Sequence, residues 1–252
     1  MKIVDAVWEE RNLGKRCKEI YIQKSDARDD VLKKISEMDE EFLELFLPIE
    51  CPEYLLYLPQ QGFYYIESNL DLVKKCQADE IFPKTYDKIL QKVHSRQLES
   101  DEIENFLYKL RTEYFFEKDK ISIDYHFSQE ASANRNYWRL KDYYAEGRDI
   151  RIYEVWFQQR AIGYFILNVM EQGHIDVYLS GLYPECRSKS LGTCIMGEET
   201  RQAECLGAKL ITTGVSLNNF ACLRIYLSLG YEIKKGTNIF VKHKRDDNVS
   251  KR

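Results

Sequence analysis

The order of predicted elements in the second half of the chain restricts the fold more than any other feature of the sequence. Strands are predicted at 150–159, 161–170 and 174–184, a helix at 190–206, a strand at 208–216, a helix at 218–230, and two strands between 231 and 243. Three successive strands followed by alternating helices and strands produce a mixed sheet flanked by helices. We therefore predict an α+β (mixed α/β) fold.

The first half is predicted to form a smaller α/β domain. Strands are expected at 3–8 and 18–23, a helix at 27–38 capped by Ser25 or Asp26, extended structure at 54–68 interrupted at Pro59 and Gly62, and helical structure over 83–118. The second half is predicted to open with a strand at 120–127 and a helix at 130–146. We place an N-terminal α/β domain at 1–118 and a second domain at 119–245. The charged tail, 246–252, is predicted to be disordered.

Charge and cysteine usage exclude several classes of protein. With 37 basic and 41 acidic residues the net charge is −4, so a broad nucleic-acid-binding surface is not expected. Seven scattered cysteines without a CxxC pair argue against a disulfide framework and against a zinc site, and no metal is predicted. The first residues form neither a signal peptide nor a membrane span, which favours a reducing cytoplasm.

The segment "LYPECRSKSLGTCIM", residues 182–196, places basic residues and a glycine where a helix is predicted to begin. The first amides of a helix have no intrahelical partner and carry partial positive charge, so they suit a phosphate. Arg187 and Lys189 add charge, Ser190 and Thr193 offer hydroxyls, and Gly192 allows close approach of a ligand to the backbone. An ordinary helix start with a serine cap explains the same residues.

The spacing Arg187-x-x-Ser190-x-Gly192 resembles the acetyl-CoA motif of the GCN5-related N-acetyltransferase superfamily, Gln/Arg-x-x-Gly-x-Gly/Ala. Ser190 stands where the first glycine of that motif is usual. This departure puts a side chain near the phosphates, so either the loop lies further out or the hydroxyl takes part in binding.

A second segment, "NNFACLRIYLSLGYE", resembles the C-terminal signature of the same superfamily, Asn-x-x-Ala-x-x-x-Tyr-x-x-x-Gly-Phe. Asn219, Cys222, Tyr226, Gly230 and Tyr231 fall at its positions. An amphipathic helix with a glycine C-cap would give a similar pattern. Together the two motifs extend the resemblance over about residues 120–245 and imply the superfamily's fold.

The resemblance implies acetyl-CoA as co-substrate. Its pantetheine arm would lie between the strands at 174–183 and 208–216, and the Leu182 N–H would polarise the thioester carbonyl. Asn219 would reach the cofactor arm. The pyrophosphate would meet backbone amides of Arg187, Ser188, Lys189, Ser190, Leu191, Gly192 and Thr193.

Tyr226 is the predicted catalytic acid, because the family's tyrosine at this position often protonates the departing thiolate. A packed tyrosine that only holds the cofactor is the alternative. Asp176 lies where histone-acetylating relatives carry a glutamate base, which makes it the candidate base. His174, Glu154 and a chain of water molecules are left open for that role.

The acceptor is predicted to be a small amine. The segment "VWEERNLGKRCKEI" resembles the opening of acetyltransferases of the TDP-fucosamine type, which act on a nucleotide-linked amino sugar, and Arg135, Tyr137, Trp138 and Arg139 would supply contacts for it. Helix solvation and core packing explain those four residues as well. A peptide, protein or antibiotic amine is the alternative acceptor, and a non-catalytic acyl-CoA-binding module is the alternative function. A homodimer is left open.

Overall fold

The computed structural model describes residues 1–76, 84–113, 119–187 and 189–244. Within them the strands are β1 Lys2–Asp5, β2 Cys17–Tyr21, β3 Phe42–Pro48, β4 Tyr64–Lys75, β5 Val93–Gln97, β6 Asp149–Phe157, β7 Arg160–Val169, β8 His174–Leu182, β9 Leu210–Ser216 and β10 Glu232–His243. The helices are α1 Val7–Leu13, α2 Arg28–Ser36, α3 Lys84–Leu90, α4 Ser100–Thr112, α5 Gln129–Ala145, α6 Gly192–Cys205 and α7 Phe220–Ser228. Short 3₁₀ turns connect several of these elements.

The strands form one mixed sheet in the order β1-β2-β3-β10-β4-β9-β8-β7-β6-β5. Among the described strands only the pairs β2–β3 and β8–β9 are parallel, and each is connected through a helix, as parallel pairing requires. This architecture confirms the predicted mixed sheet flanked by helices.

Pairing between strands crosses the predicted domain boundary at 118. β4 lies between β9 and β10, β3 pairs with β10, and β5 pairs with β6. The segments 1–118 and 119–245 therefore contribute to the same sheet. Their division into two domains stays a prediction, and the tail at 246–252 lies outside the described residues.

Helices pack on both faces of the sheet. Along β6, Tyr153 and Val155 join the core under α6 and α7, whereas Ile150 and Ile152 join the core under α4 and α5. This alternation follows from the two-residue period of a strand. We call the two sides the α6 face and the α5 face.

Three predicted segments differ in kind from the observed elements, and the strand predicted at 120–127, described below, is a fourth. Residues 3–8 were expected to be one strand, but β1 ends at Asp5 and helix α1 begins at Val7. The helical structure expected over 83–118 is present as α3 and α4 but is interrupted by strand β5, and residues 114–118 are outside the described part. Two terminal strands were expected near 231–243, where β10 runs continuously past a bulge near Ile233.

Smaller differences concern the 54–68 segment and the cap of α2. The region predicted to be extended at 54–68 begins with 3₁₀ turns at Pro52–Tyr54 and Pro59–Gln61, and the chain becomes extended only from Tyr64. Helix α2 is preceded by Ala27, and neither Ser25 nor Asp26 caps it. Asp26 instead binds the N-terminal ammonium group of Met1.

The segment 120–127 was predicted to be a strand and is a series of turns. Asp119 Oδ1 accepts hydrogen bonds from the backbone N–H groups of Ile121 and Ser122, at 3.1 and 2.7 Å, and Asp124 accepts one from His126 N–H at 3.0 Å. Such local side-chain bonds compete with strand pairing. The alternation of apolar residues here is therefore not a sign of a strand.

Asp124, His126 and His243 meet where these turns contact β10. His126 Nδ1 and His243 Nε2 lie 3.0 and 2.8 Å from the two oxygens of Asp124, and the two imidazole rings stack with centroids 3.7 Å apart. All three could ligate a metal ion, since their ligand atoms lie within 4.8 Å of one another. Lys15 Nζ lies 3.4 Å from His243 Nδ1, so the same atoms also form a hydrogen-bond network on their own.

None of the described helices has the length and apolar composition to cross a membrane. All seven cysteines lie in the described part of the chain, and none of them forms a disulfide there.

Candidate functional site

A gap opens between β8 and β9 on the carboxyl side of their pairing. The two strands are paired from His174–Leu210 to Val177–Thr213, and no pair follows among the described residues. Each strand nevertheless continues, β8 on β7 as far as Leu182 and β9 on β4 as far as Ser216. We call the space between 178–182 and 214–216 the wedge. It lies between the two strands that the family resemblance implied would hold the pantetheine arm.

Local backbone features hold β8 in this position. The pairing of β8 with β7 shifts by one residue between Leu179 and Val177, which makes Tyr178 a bulge at the mouth of the wedge. Gly163 of β7 lies opposite Leu182, and a Cβ at Gly163 would lie 2.2 Å from the carbonyl oxygen of Gly181. Only glycine permits this close approach, so β7 determines where the end of β8 lies.

Ser190 has the backbone conformation of a glycine. Its φ is +56°, in the left-handed region that residues with a side chain rarely adopt. The sequence placed Ser190 where the resembling motif has its first glycine, and the fold keeps the glycine-like turn despite the substitution. The turn leads into α6, which begins at Gly192 without a side-chain cap on Leu191.

The other residues predicted to hold the pyrophosphate surround the start of α6. We call residues 187–193 the cradle. Thr193 belongs to the first turn of α6, and the partly buried Leu191 packs against the core of the α6 face. Lys189 is exposed and donates a hydrogen bond to the carbonyl oxygen of Glu185 at 2.8 Å. Arg187 follows a 3₁₀ turn; burial raises the pKa of the Tyr164 phenol, and the positive charge of Arg187 opposes that shift. Ser188, also predicted to bind, lies outside the described residues.

Ser190→Gly should stabilise the protein by about 0.5–1 kcal/mol, because a side chain in the left-handed region costs about 1–2 kcal/mol and glycine loses part of that gain through unfolded-state entropy. Thermal unfolding should show a rise in Tm of roughly 1–4 °C. Ser190→Ala keeps the strain and removes the hydroxyl, so it should show no rise. A glycine variant that melts below the parent would contradict the strain.

Tyr226 of α7 is buried against α6. Its phenol donates a hydrogen bond to Glu199 Oε1 at 2.5 Å, and its ring meets Tyr231 edge-on with centroids 5.0 Å apart. Burial raises the pKa of Glu199 to about 8, against smaller lowering effects of Tyr226 and Ser180. Burial and then Glu199 raise the pKa of the Tyr226 phenol. At neutral pH the pair therefore holds two protons.

Glu199 makes stability depend on pH in a definite direction. Its folded-state pKa of about 8 lies above the usual 4.5, so the stability it contributes is complete below about pH 4.5 and is lost as the pH rises towards 8. The loss is about 1.4 kcal/mol per pH unit within that window. Glu199→Gln should remove this slope, so its stability relative to the parent should rise from about pH 5 to about pH 8.

Urea unfolding at a series of pH values checks this prediction. Glu104→Gln is the matched control, because Glu104 is an exposed residue of α4 that pairs with Lys141. An unchanged difference between Glu199→Gln and the parent at every pH would show that Glu199 titrates normally.

Asn219, predicted to reach the cofactor arm, forms the N-cap of α7. Its side-chain oxygen accepts a hydrogen bond from the backbone N–H of Cys222 at 3.4 Å, and the residue is exposed. The helix start is therefore its observed contact. A role towards a ligand stays a prediction.

Asp176, the candidate base, lies on the α5 face, since it alternates with Ile175 and Val177 of the α6-face core. Thr212 donates a hydrogen bond to Asp176 Oδ1 at 2.8 Å, and His174 Nε2 lies 2.8 Å from the same Thr212 hydroxyl. Burial raises the pKa of Asp176, with Thr212 and His174 opposing. Two of the residues considered as bases are thus joined through one hydroxyl.

Glu154, the third candidate base, is held by two neighbours. It accepts hydrogen bonds from the Tyr183 hydroxyl at 2.8 Å and from Trp156 Nε1 at 3.1 Å. It lies on β6, away from the paired strands β8 and β9. Its observed role is to connect β6 with the end of β8.

The residues predicted to contact a nucleotide sugar divide into two pairs. Arg135 and Arg139 line a cavity between α5 and strands β1–β3. Tyr137 and Trp138 are not among its lining residues; Arg111 lies over the Tyr137 ring and Arg11 over the Trp138 ring. One side of α5 is thus available for a ligand, while Tyr137 and Trp138 pack elsewhere.

Sequence reasoning missed Glu199 and Tyr178. Glu199 was inside a predicted helix, and its only signal was a charged residue at a position where the helix turns towards the core. Tyr178 gave no signal, because a bulge depends on the register between strands and cannot be seen in one strand alone.

Comparison with known proteins gives a likeness in structure only. No family model matches the sequence, and no curated protein matches it. The GCN5-related N-acetyltransferase of Sphaerobacter thermophilus superposes with a TM-score of 0.61 at 11% identity, over 97% of this chain and 76% of that one. The GCN5-related N-acetyltransferase of Kribbella flavida gives 0.51 at 16% identity, over 90% and 81%.

A third similar structure is the GCN5-related glucosamine N-acetyltransferase region of a fungal multi-domain β-N-acetylglucosaminidase. It gives a TM-score of 0.58 at 13% identity, over 95% of this chain and 30% of that one. At these identities the likeness concerns the fold, and the chain has the fold of the GCN5-related N-acetyltransferases. The fold that the two motifs implied is confirmed.

Proposed function

We propose that the protein is an acetyl-CoA-dependent N-acetyltransferase acting on the amine of a small molecule. One observation carries the proposal: the Tyr226 phenol lies close enough to the Ser180 side chain to interact with it, and Ser180 is in the part of β8 that is no longer paired with β9. The wedge, the start of α6 and a buried phenol are thus brought together by one strand. Acyl transfer from a thioester needs a slot for the donor and a group that can protonate the thiolate.

The residues present fit acetyl-CoA, which would supply an acetyl group already activated as a thioester. At the start of α6 the Cys194 N–H bonds the Leu191 carbonyl oxygen at 3.0 Å, so the amides of Gly192 and Thr193 are the ones that would meet a phosphate, and the left-handed Ser190 leads the chain into them. Arg187 and Lys189 add positive charge beside them. The wedge gives access to the backbone of β8 up to Leu182.

Each catalytic role is assigned to a group of this chain. The Leu182 N–H would donate to the oxygen on which negative charge develops. The Tyr226 hydroxyl would give its proton to sulfur, and Glu199, protonated at neutral pH because its pKa is raised to about 8, would replace it. Asp176 would accept the proton of the attacking amine, positioned by Thr212.

An amino sugar linked to a nucleotide is the specific acceptor that we propose. It rests on the N-terminal resemblance to the TDP-fucosamine type, and the similar fungal region is described as a glucosamine N-acetyltransferase. A peptide, protein or antibiotic amine is the alternative acceptor. The non-catalytic module is favoured by one observation, the serine at position 190 of the cradle.

A thiol-release assay with acetyl-CoA and a panel of amines tests the proposal. The panel contains glucosamine, a nucleotide-linked amino sugar, an aminoglycoside and a short peptide. We expect acetyl-CoA to raise the Tm and at least one small amine to release free thiol above the rate without acceptor. Binding without release for every amine would identify the non-catalytic module, and the absence of binding would refute both functions.

A further inference from the structure

A cavity of about 360 Å³ lies on the α5 face, apart from the wedge and the start of α6. Its floor is formed by β1, β2 and β3, where Glu19 and Tyr21 alternate with the core residues Ile20 and Ile22. Its wall is helix α5. Arg135 and Arg139, expected from the sequence to contact a nucleotide sugar, belong to this wall.

Four cations line this cavity, against one carboxylate. The cations are Lys2, Lys120, Arg135 and Arg139, and the carboxylate is Glu19, which accepts a hydrogen bond from the Tyr21 hydroxyl at 2.6 Å. When Glu9 and Glu44, which pair with two of these cations, are included, four positive charges stand against three negative charges, and one positive charge remains in excess. It indicates a ligand with negative charge.

Two of the four cations are already neutralised. Arg135 Nε bonds Glu9 Oε1 at 2.5 Å, and the Lys120 ammonium group bonds Glu44. Lys2 and Arg139 differ: neither lies within 4.0 Å of a carboxylate among the described residues. They are the charges that a ligand would neutralise.

Unsatisfied polar atoms accompany these charges. Trp8 lines the cavity, and its buried Nε1–H has no hydrogen-bond partner in the part of the chain that the structure describes. A buried donor without a partner costs about 1–3 kcal/mol. This N–H group adds to the positive character of the cavity wall.

Arg139 connects the cavity to the wedge. Besides lining the cavity, Arg139 influences Tyr178, the bulged residue at the mouth of the wedge. Burial raises the pKa of the Tyr178 phenol, and the positive charge of Arg139 opposes that shift. The buried Tyr178 hydroxyl lacks a well-aligned hydrogen-bond partner among the described residues. A molecule held by Arg139 would therefore lie near Tyr178, on the strand that forms one side of the wedge.

We propose that this cavity binds the acceptor through an anionic group, a phosphate or a carboxylate, held by Arg139 and Lys2. The inference rests on the proposed acetyl transfer for the identity of the ligand as acceptor. The rings of Trp8, Tyr21 and Phe46 surround the same space and would contact the remainder of the molecule. The acceptor would thus be a small amine with negative charge.

Calorimetric titration with inorganic phosphate and with succinate tests the proposal, at constant ionic strength and with coenzyme A present to occupy the α6 cradle. Phosphate and succinate distinguish the two kinds of anionic group. We expect the parent to bind at least one of them, and Arg139→Gln and Lys2→Gln to bind it about 10- to 100-fold more weakly. Lys2→Gln changes an exposed residue, so it keeps the test valid if Arg139→Gln fails to fold.

Arg148→Gln is the matched control, because Arg148 is an exposed arginine paired with Glu146 just after α5. It should bind the anion as the parent does. No binding of either anion by the parent, or unchanged binding by both cavity variants, would refute the proposal. Loss of anion binding in Lys189→Gln instead would place the anion at the cradle and refute it too.

The experiments distinguish an error in the cavity proposal from an error in the proposed function. Acetyl-CoA should bind Arg139→Gln with unchanged affinity. If acetyl-CoA does not bind the parent at all, the transferase proposal fails, whereas the titration with phosphate or succinate still decides whether the cavity is an anion site.

Discussion

Tyr226→Phe should lower kcat by about 10²–10⁴-fold, the usual range for the loss of a positioned general acid. The substitution removes one hydroxyl and keeps the ring that packs against Tyr231. Acetyl-CoA affinity should change little, because the lost interaction belongs to the transition state and not to the ground state. Steady-state kinetics with the acceptor found by the thiol-release assay, together with acetyl-CoA titration, measure the two effects.

Tyr231→Phe is the matched control for this variant. Tyr231 is an equally buried tyrosine, and its hydroxyl lies 3.1 Å from the Thr200 hydroxyl rather than beside Ser180 of the wedge. Its kcat should stay within severalfold of the parent. If Tyr226→Phe also stayed within severalfold, water or another group would be the acid; a collapse of acetyl-CoA affinity would make Tyr226 a binding residue.

Gly192→Val should weaken acetyl-CoA binding by about 100-fold or more, because losing two charge-assisted hydrogen bonds of about 1.5–3 kcal/mol each has that effect. Gly192 is the first residue of α6, and branched carbons there would occupy the space in front of the free amides. The acetyl-CoA-dependent rise in Tm should then disappear.

Gly192→Ala controls for the helix itself. An added Cβ would meet only Ile225 Cδ1, at 3.4 Å, so alanine fits with little adjustment. Circular dichroism should show the same helix content in both variants, and alanine should retain most of the binding. Parent-like affinity of the valine variant would mean that the start of α6 is not the cradle.

The fold of the second half could be predicted because its signals are local. The strands β6, β7 and β8 are apolar or alternating runs bounded by turns, and Gly192 and Asn219 mark the starts of the helices that follow. The two motifs added the order of these elements. The separation of β8 from β9 then followed from the resemblance and not from periodicity.

The remainder of the fold depends on contacts that are distant in sequence. Nothing near Tyr64–Lys75 indicates that β4 lies between β9 and β10. Strand β5 is only five residues long and largely polar, so the helical spacing around it concealed it. The alternation at 120–127 was misleading because Asp119 and Asp124 turn the chain through their own side chains.

The site could be predicted where a backbone motif determines its conformation. It could not be predicted where contacts between residues distant in sequence determine it. Ser190 keeps the turn that its motif position requires. The bond between Tyr226 and Glu199 joins two helices, and its strength comes from burial, which no short segment encodes. The same holds for the cavity, whose cations come from β1, the 119–127 turns and α5.

The position of β4 has a consequence for the way the chain folds. During synthesis β4 appears long before its two neighbours β9 and β10, so both of its edges stay unpaired until the last part of the chain is available. Closing such long loops is entropically costly and slow, and unpaired strand edges are prone to intermolecular pairing. We therefore expect slow refolding with a strong tendency to aggregate at high protein concentration, and a need for chaperones at the ribosome.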